Sequence, residues 1–333
     1  MISAYSLLLL LTSTVLSSVI TFATTSPLLS RMKSAGVFGI DVHKTNQPQV
    51  SEMGGFAIYA GFASSVILAA FLGLNTELIM VALLVVTLSA MIGALDDVMH
   101  LGAIEKPLLG YFAGIPLILT AGNNPYILIP LLGTFWLGLA WLPVVPFGVT
   151  AGANAVNTFA GFNGMETGCS AIATFALIIV GILLSSPATG IAGLVIFASL
   201  LGALIGFFPY NRYPARVFTG DIGTLCIGSA IAVGAIALKI EVFAVIALLP
   251  YIVNYGMVLL SVGKVTESHL FTATQVTSDG YLVPSKSYAI RKNLSDYILS
   301  NRSMKEPELV KTLWILCGLS GAISICLAIV TAF

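Results

Sequence analysis

Two adjacent carboxylates close an apolar run in Gly93-Ala94-Leu95-Asp96-Asp97. Neighbouring negative charges repel, and at the edge of an apolar segment they are disfavoured unless a cation offsets them. The pair reads either as a metal-binding couple or as two solvated helix-end acids. Asn154, Asn157 and Asn163 crowd into NAVNTFAGFNG at the end of another apolar run. Their amides offer carbonyl oxygens to a hard cation and hydrogen-bond donors to a nucleotide base. Helix caps and turns account for Asn163-Gly164 but not for all three. In Phe218-Thr219-Gly220-Asp221-Ile222-Gly223 an aspartate stands between glycines just before a further run. Such glycines let backbone approach a phosphate closely, and the aspartate can hold the metal of that phosphate. With Lys44, Lys106, Arg212 and Arg216, these groups suit phosphoryl transfer, which needs neutralised phosphate oxygens and an aligned nucleophile. Mg²⁺, with Mn²⁺ as a substitute, is the expected ion, because it takes oxygen ligands and is shared with substrate phosphates.

The elements that must position these residues are membrane helices. Of 333 residues, 58% are hydrophobic and 8% charged, against about 25% charged in soluble domains. So few charges cannot cover a water-facing surface, and the solvent is largely lipid. The net charge of zero gives no basic field for nucleic acid. Cys169, Cys226, Cys317 and Cys326 lie in apolar runs without CxxC spacing and read as small hydrophobes. The apolar stretch Met1 to Ile20 has no basic residue before it, its first positive charges being Arg31 and Lys33. It reads as a first span rather than a signal peptide.

A span takes about 20 apolar residues. The runs 4–30, 52–73, 78–95, 107–121, 139–157, 168–184, 190–208, 222–238, 242–263 and 310–331 qualify, predicting ten spans in one all-α membrane domain over 1–333. The stretch 126–158 could hold two spans, but Pro130, Gly133 and Gly138 among β-favouring residues make Tyr126 to Trp141 an extended or hairpin segment at the surface. Charge supports that choice. One side then carries Arg31, Lys33, Lys44, Lys106, Arg212, Arg216, Lys264, Lys286, Arg291, Lys292, Arg302, Lys305 and Lys311, and the other Lys239 alone. The positive-inside bias makes the crowded side cytoplasmic and both termini external. Asp41, Glu52, Asp96, Asp97, Glu105, Glu166 and Asp221 fall at the same cytoplasmic helix ends. The loop 264–307 is predicted to hold a hairpin around Ser278-Asp279-Gly280 and a helix with Ile290, Leu294, Tyr297 and Ile298 on one face, either interfacial or solvated.

The segments DVHKTNQPQVSEMGG (41–55), GALDDVMHLGAIEKPLL (93–109), NAVNTFAGFNGMETG (154–168) and YNRYPARVFTGDIG (210–223) resemble, in order and spacing, the polyprenyl-phosphate N-acetylhexosamine-1-phosphate transferases. The resemblance is greatest to the eukaryotic and archaeal branch, which transfers N-acetylglucosamine-1-phosphate from UDP-GlcNAc to dolichyl phosphate in the first lipid-linked step of protein N-glycosylation. The family's ten-helix fold with a cytoplasmic active site agrees with the charge pattern. The resemblance implies that Asp96 and Asp97 handle Mg²⁺ and the lipid phosphate, that Lys106 acts beside the transferred phosphate, and that Asn157 and Asp221 coordinate Mg²⁺ on the diphosphate. It further implies uracil contacts from Asn163 and Phe218, a cytoplasmic rim with Lys44 and Glu52, and Arg216 near the lipid phosphate. His100 stands where the eukaryotic enzymes carry asparagine. The last loop lacks both the eukaryotic arginine-rich signature and the bacterial histidine cluster, offering Glu267, Ser268, His269 and Leu270, with His269 a candidate for the nucleotide sugar.

The reaction so implied is attack of a dolichyl or other polyprenyl phosphate on the β-phosphorus of a UDP-N-acetylhexosamine, giving lipid-diphospho-sugar and UMP. The setting would be the cell membrane, or the endoplasmic reticulum membrane in a eukaryote. Membrane lipids are expected around the protein, and a homodimer is left open. Within the class, the alternatives are a phospho-N-acetylmuramoyl-pentapeptide transferase and a bacterial undecaprenyl-phosphate GlcNAc-1-phosphate transferase. A secondary transporter would carry its charges near the membrane midplane on broken helices, and here they crowd one border. A scaffold would have no use for paired aspartates and clustered asparagines.

Overall fold

The computed structural model describes residues 4–185, 190–262, 274–284 and 293–333. In a lipid solvent every backbone N–H and C=O must be satisfied within its own segment, so the apolar runs become helices. In chain order these are α1 (Ala4–Ser34), α2 (Gly55–Phe71), α3 (Thr76–Met99), α4 (Glu105–Gly114), α5 (Ile118–Ala121) and α6 (Trp141–Thr158). There follow α7 (Met165–Leu184), α8 (Ile191–Asn211), α9 (Gly220–Leu238), α10 (Glu241–Ala247), α11 (Leu249–Val262), α12 (Leu294–Asn301) and α13 (Glu306–Ala332). The short strands β1 (Phe38–Ile40) and β2 (Gln49–Ser51), β3 (Tyr126–Ile129) and β4 (Gly133–Trp136), and β5 (Thr274–Val276) and β6 (Leu282–Pro284) form three antiparallel pairs.

All ten apolar runs are helical, but fewer than ten meet the length of a bilayer crossing. Among the described residues seven helices are long and apolar enough, or eight if α10 and α11, bent by 72° at Leu248, count as one broken span. The run 52–73 yields the 17-residue α2, which gives way at Leu72 and the positive-φ Gly73. The run 107–121 is divided into α4, a 3₁₀ turn at Ile115–Leu117 and α5. Pro116 in that turn has no N–H to donate and so cannot continue the α ladder. The expected surface segment over 126–141 is the β3–β4 hairpin, with Tyr126 opposite Trp136 and Ile129 opposite Gly133. The β5–β6 hairpin likewise forms around Ser278-Asp279-Gly280. Helix α12 buries Ser295, Asp296 and Leu299 against the protein and leaves Tyr297 exposed; Lys286, Ile290, Arg291 and Lys292 lie outside the described residues.

Contacts sort the helix ends into two layers. The ends of α3, α6 and α8 meet the beginnings of α4, α7, α9 and α13 through bonds among Asp96, Asp97, Lys106, Asn157, Asn163, Glu166, Asn211, Asp221 and Glu306. The opposite layer holds Lys239, whose Nζ donates to Asn124 O at 2.6 Å and lies 4.1 Å from the centre of the Trp141 ring. Because α13 begins in the first layer and α1 ends there, Ala4 and Ala332 lie at the far end of the bundle.

Lipid supplies no hydrophobic drive between helices, so close backbone approach and buried hydroxyl bonds take its place. Ser65 Oγ meets Ser199 Oγ at 2.8 Å and donates to Ser13 O at 3.0 Å, and Ser17 Oγ donates to Ser199 O at 2.7 Å. These bonds join α1, α2 and α8 in the middle of the bundle. Gly202 and Gly206 bring α8 so near α1 that a Cβ on either would run into Thr14 O or Ser18 O.

Candidate active site

Lys106, in the first turn of α4, is the hub of one polar cluster. Its Nζ lies 2.5 Å from Asp96 Oδ2 at the end of α3 and 2.5 Å from Asp221 Oδ2 at the start of α9. It also donates to Asn157 Oδ1 at 3.0 Å in the last turn of α6. Asn157 Nδ2 in turn donates to Asp221 Oδ1 at 2.7 Å and to Thr224 Oγ1 at 2.8 Å. Asp96 keeps its other oxygen on the Leu101 N–H at 2.7 Å, which tightens the turn after α3.

Asp97 is used differently. Its Oδ1 accepts from Asp221 N at 2.7 Å and its Oδ2 from Ile222 N at 3.1 Å. It thereby satisfies two of the free N–H groups at the start of α9, where a negative charge is favoured. The bond requires Gly220: at φ +66° a side chain is strained, and a Cβ there would sit 2.7 Å from Asp97 Oδ2. Gly93 serves the same junction, since a Cβ on α3 at that point would meet the Asp221 carbonyl.

A second cluster gathers on Lys44, in the turn between β1 and β2. Its Nζ pairs with Asp41 Oδ2 at 2.9 Å and with Glu306, and donates to Asn163 Oδ1 at 3.2 Å. Asn163 Nδ2 donates to Asp41 Oδ2 at 3.1 Å, Asn163 N donates to Glu306 Oε1 at 2.7 Å, and Asn163 Oδ1 accepts from Ala215 N at 2.9 Å. The segment 213–219 is drawn in by a bridge between Ser51 and Val217 and by bonds from Phe218 N to Ser51 O and from Gly54 N to Phe218 O. Together they enclose a cavity of about 150 Å³ lined by Asp41, His43, Phe162, Glu166, Phe218 and Thr219, among others. One wall is the His43 ring stacked on Phe162, centroids 4.4 Å apart. Burial holds His43 neutral, its pKa pushed down to about 4 despite the pull of Asp41.

The predicted residues therefore divide. Asp96, Asp97, Lys106, Asn157 and Asp221 form one connected cluster; Lys44 and Asn163 belong to the second cluster, and Phe218 lines the cavity beside it. Glu52 stands between β2 and α2, half-buried, its carboxyl raised above the ordinary range first by burial and then by the charge of Asp221. Arg216 joins neither cluster: its guanidinium lies 4.6 Å from the Tyr210 ring centre and donates to Pro209 O at 3.4 Å. His269 lies outside the described residues. Asn154 turns back on its own helix, donating to Thr150 O at 2.8 Å. Type and spacing give no signal for three contributors, Glu306, Asn211 and Thr224. Among the described residues no three His, Cys, Asp or Glu side chains are arranged to hold a metal. The oxygens of Asp96, Asn157 and Asp221 instead converge on the Lys106 ammonium, an all-oxygen donor set of the type Mg²⁺ takes.

A bundle of apolar helices with its acids, amides and lysines gathered at one end defines a multi-pass membrane protein with a polar site where its apolar spans end. The chain belongs to glycosyl transferase family 4, whose model matches residues 79–239. It is 31% identical over 88% of its length to a protein named as a glycosyltransferase in Methanocaldococcus jannaschii, covering 88% of that protein. It is 30% identical, over 79% of its length and 83% of the relative, to a Saccharolobus solfataricus protein named UDP-N-acetylglucosamine–dolichyl-phosphate N-acetylglucosaminephosphotransferase. A phospho-N-acetylmuramoyl-pentapeptide-transferase of Bacillus mycoides is 34% identical over 66% of this chain and 71% of its own.

Proposed function

We propose that this protein transfers N-acetylglucosamine-1-phosphate, or a related hexosamine-1-phosphate, from a UDP-sugar to dolichyl or another polyprenyl phosphate, releasing UMP. The observation that carries this reading is the convergence of Asp96, Asn157 and Asp221 on Lys106 at the lipid border, beside a cavity with aromatic walls. A water-soluble nucleotide and a lipid headgroup can both reach that place. The cavity suits a pyrimidine ring between Phe218 and the Phe162–His43 wall, with Asn163 held in position by Asp41 and Glu306. The relatives named for transfer to dolichyl phosphate match over more of the chain than the pentapeptide transferases do, which favours the former as the substrate pattern.

In this reading Lys106 bonds the transferred phosphate and offsets the charge that builds on its oxygens. Asn157 and Asp221 would hold a Mg²⁺, which when bound neutralises the diphosphate. The acceptor phosphate is already ionised near neutral pH, so no obligatory general base is required. Asp97 fixes the start of α9 and thus the place of Asp221. The lysines and arginines at this end make it the cytoplasmic face by the positive-inside bias.

The test is purified protein incubated with radiolabelled UDP-GlcNAc, other UDP-hexosamines, and dolichyl or undecaprenyl phosphate, with UMP and labelled lipid as readouts. Asp221→Ala is expected to abolish both products while the protein keeps its melting transition. Near-normal turnover by that variant, or uptake of substrate into proteoliposomes without UMP release, would overturn the assignment.

A further inference from the structure

Asn254 is a buried amide, 2% exposed, in the apolar helix α11 that follows the 72° bend. A polar side chain in such surroundings is costly unless its donors and acceptors are met. Its two ends meet groups left over at the ends of two other helices. Nδ2 donates at 2.9 Å to Thr158 O, one of the last carbonyls of α6 that its own helix cannot satisfy. Oδ1 accepts at 3.0 Å from Leu294 N, the first N–H of α12. A carbonyl only accepts and a backbone N–H only donates, so the amide fits one way round.

Each bond leads to one of the two polar clusters. Thr158 directly follows Asn157, which bonds Lys106 and Asp221. The same helix end is steadied by Phe159, whose ring centre lies 4.4 Å from that of Tyr251 on α11. On the other side, Thr274 Oγ1 ties β5 to α12 by donating to Asp296 Oδ1 at 3.1 Å. Leu282 N of β6 donates to Met304 O at 2.8 Å, shortly before Glu306 of the Lys44 cluster. Asn254 thus closes a frame that runs from Asn157 through α12 and the β5–β6 hairpin to Glu306.

We propose that Asn254 is a positioning residue for the transfer, holding the peptide beside Asn157 so that Asn157 stays in reach of Lys106 and Asp221. The inference rests on reading the Lys106 cluster as the place of transfer. Asn254→Asp is nearly isosteric and separates the two bonds. Its carboxylate still accepts from Leu294 N, but an oxygen replaces Nδ2 and faces Thr158 O, acceptor against acceptor. The end of α6 is released while α12 stays docked. Leu294→Pro does the reverse. Proline has no N–H to give Asn254, suits the first position of a helix, and follows an extended Asn293 (ψ 176°) that admits it. The bond to Thr158 O is kept.

The experiment is steady-state transfer from radiolabelled UDP-GlcNAc to dolichyl phosphate by the full chain in detergent, with melting curves and hydrogen-exchange mass spectrometry. N254D is expected to lower kcat by about 10- to 100-fold, the cost of misplacing a catalytic arrangement by about 1 Å, with the KM for UDP-GlcNAc little changed. Amides in the last turn of α6 should exchange faster in N254D, and those of α12 should not. L294P should show the opposite exchange pattern and nearly keep its kcat. N254A breaks the α6 bond without adding repulsion and stands in if N254D does not fold. Wild-type kcat in a folded N254D or N254A overturns the proposal, as does a rise confined to KM or an L294P enzyme as slow as N254D. A wild type that releases no UMP from UDP-GlcNAc or any other UDP-hexosamine would instead remove the transfer reading, and this inference with it.

Discussion

Replacing Lys106 by methionine keeps the apolar stem and deletes the ammonium on which the site converges. The Lys106 side chain is 13% exposed, its partners Asp96 and Asp221 are 2% and 26% exposed, and Nζ stands 2.5 Å from an oxygen of each. Without the ammonium the two carboxylates face one another across no more than twice that distance. At an effective dielectric of about 20, unit charges about 4–5 Å apart repel by roughly 3–4 kcal/mol. Removing one member of a buried ion pair costs about 3–5 kcal/mol by a separate route. The two figures describe one loss and agree; the partial exposure of Asp221 favours their lower end. K106M should therefore melt well below wild type in detergent, and K106M/D96N, in which one of the repelling charges is gone, should recover at least half of the lost stability. Transfer by either variant should fall by about 100-fold or more, since the positive charge is missing from the transition state. A K106M protein that melts like wild type, or a double variant that melts below K106M, would refute the electrostatic account.

Gly220→Ala should cost about 2–4 kcal/mol, combining the left-handed backbone with displacement of Asp97 from the start of α9; an unchanged melting temperature would contradict the contact described. His43, held near 4 when folded and near 6.5 when unfolded, makes the unfolded chain bind more protons between those values. Stability should then rise with pH across that window and fall by up to about 3 kcal/mol as pH drops through it. His43→Gln should flatten the dependence of melting temperature on pH, and an unaltered slope would reject the assignment. Glu306→Gln keeps an acceptor for the Asn163 N–H but leaves Lys44 with one carboxylate fewer. Its UDP-sugar KM should rise about 10-fold with kcat little changed; a change confined to kcat would place Glu306 elsewhere in the reaction.

The charge pattern made the two ends of the bundle legible, because a charged side chain in lipid must find either the border or a partner. The asparagine-rich turn and the glycine-flanked Asp221 were legible for the same reason. The partners of these residues were not. Glu306 is separated from Lys44 by 262 positions, and its pairing follows only from where α13 docks. Helices such as α2, α8 and α9 are apolar all round, so periodicity carries no sign of which face packs inward. The span count failed where a single residue mattered. Pro116 broke a run that hydropathy alone had treated as continuous, and Leu248 marks the bend that hydropathy cannot register. Lys106 was visible as a basic residue, but its place as hub came from four elements meeting at its ammonium.

Helix α8 touches α1 through Gly202 and Gly206 and carries Asn211 at its far tip. Nine helical steps run from Gly202 to Asn211, roughly 13 Å of rod. Wedging the rod away from its bearing at Gly202, deep in the hydrocarbon, moves the tip that steadies Glu166. The shape of the cavity that Glu166 and Thr219 line is thereby set partly by a seam that forms none of its wall, and a Gly202→Val protein with undiminished UMP binding would show the rod to be slack.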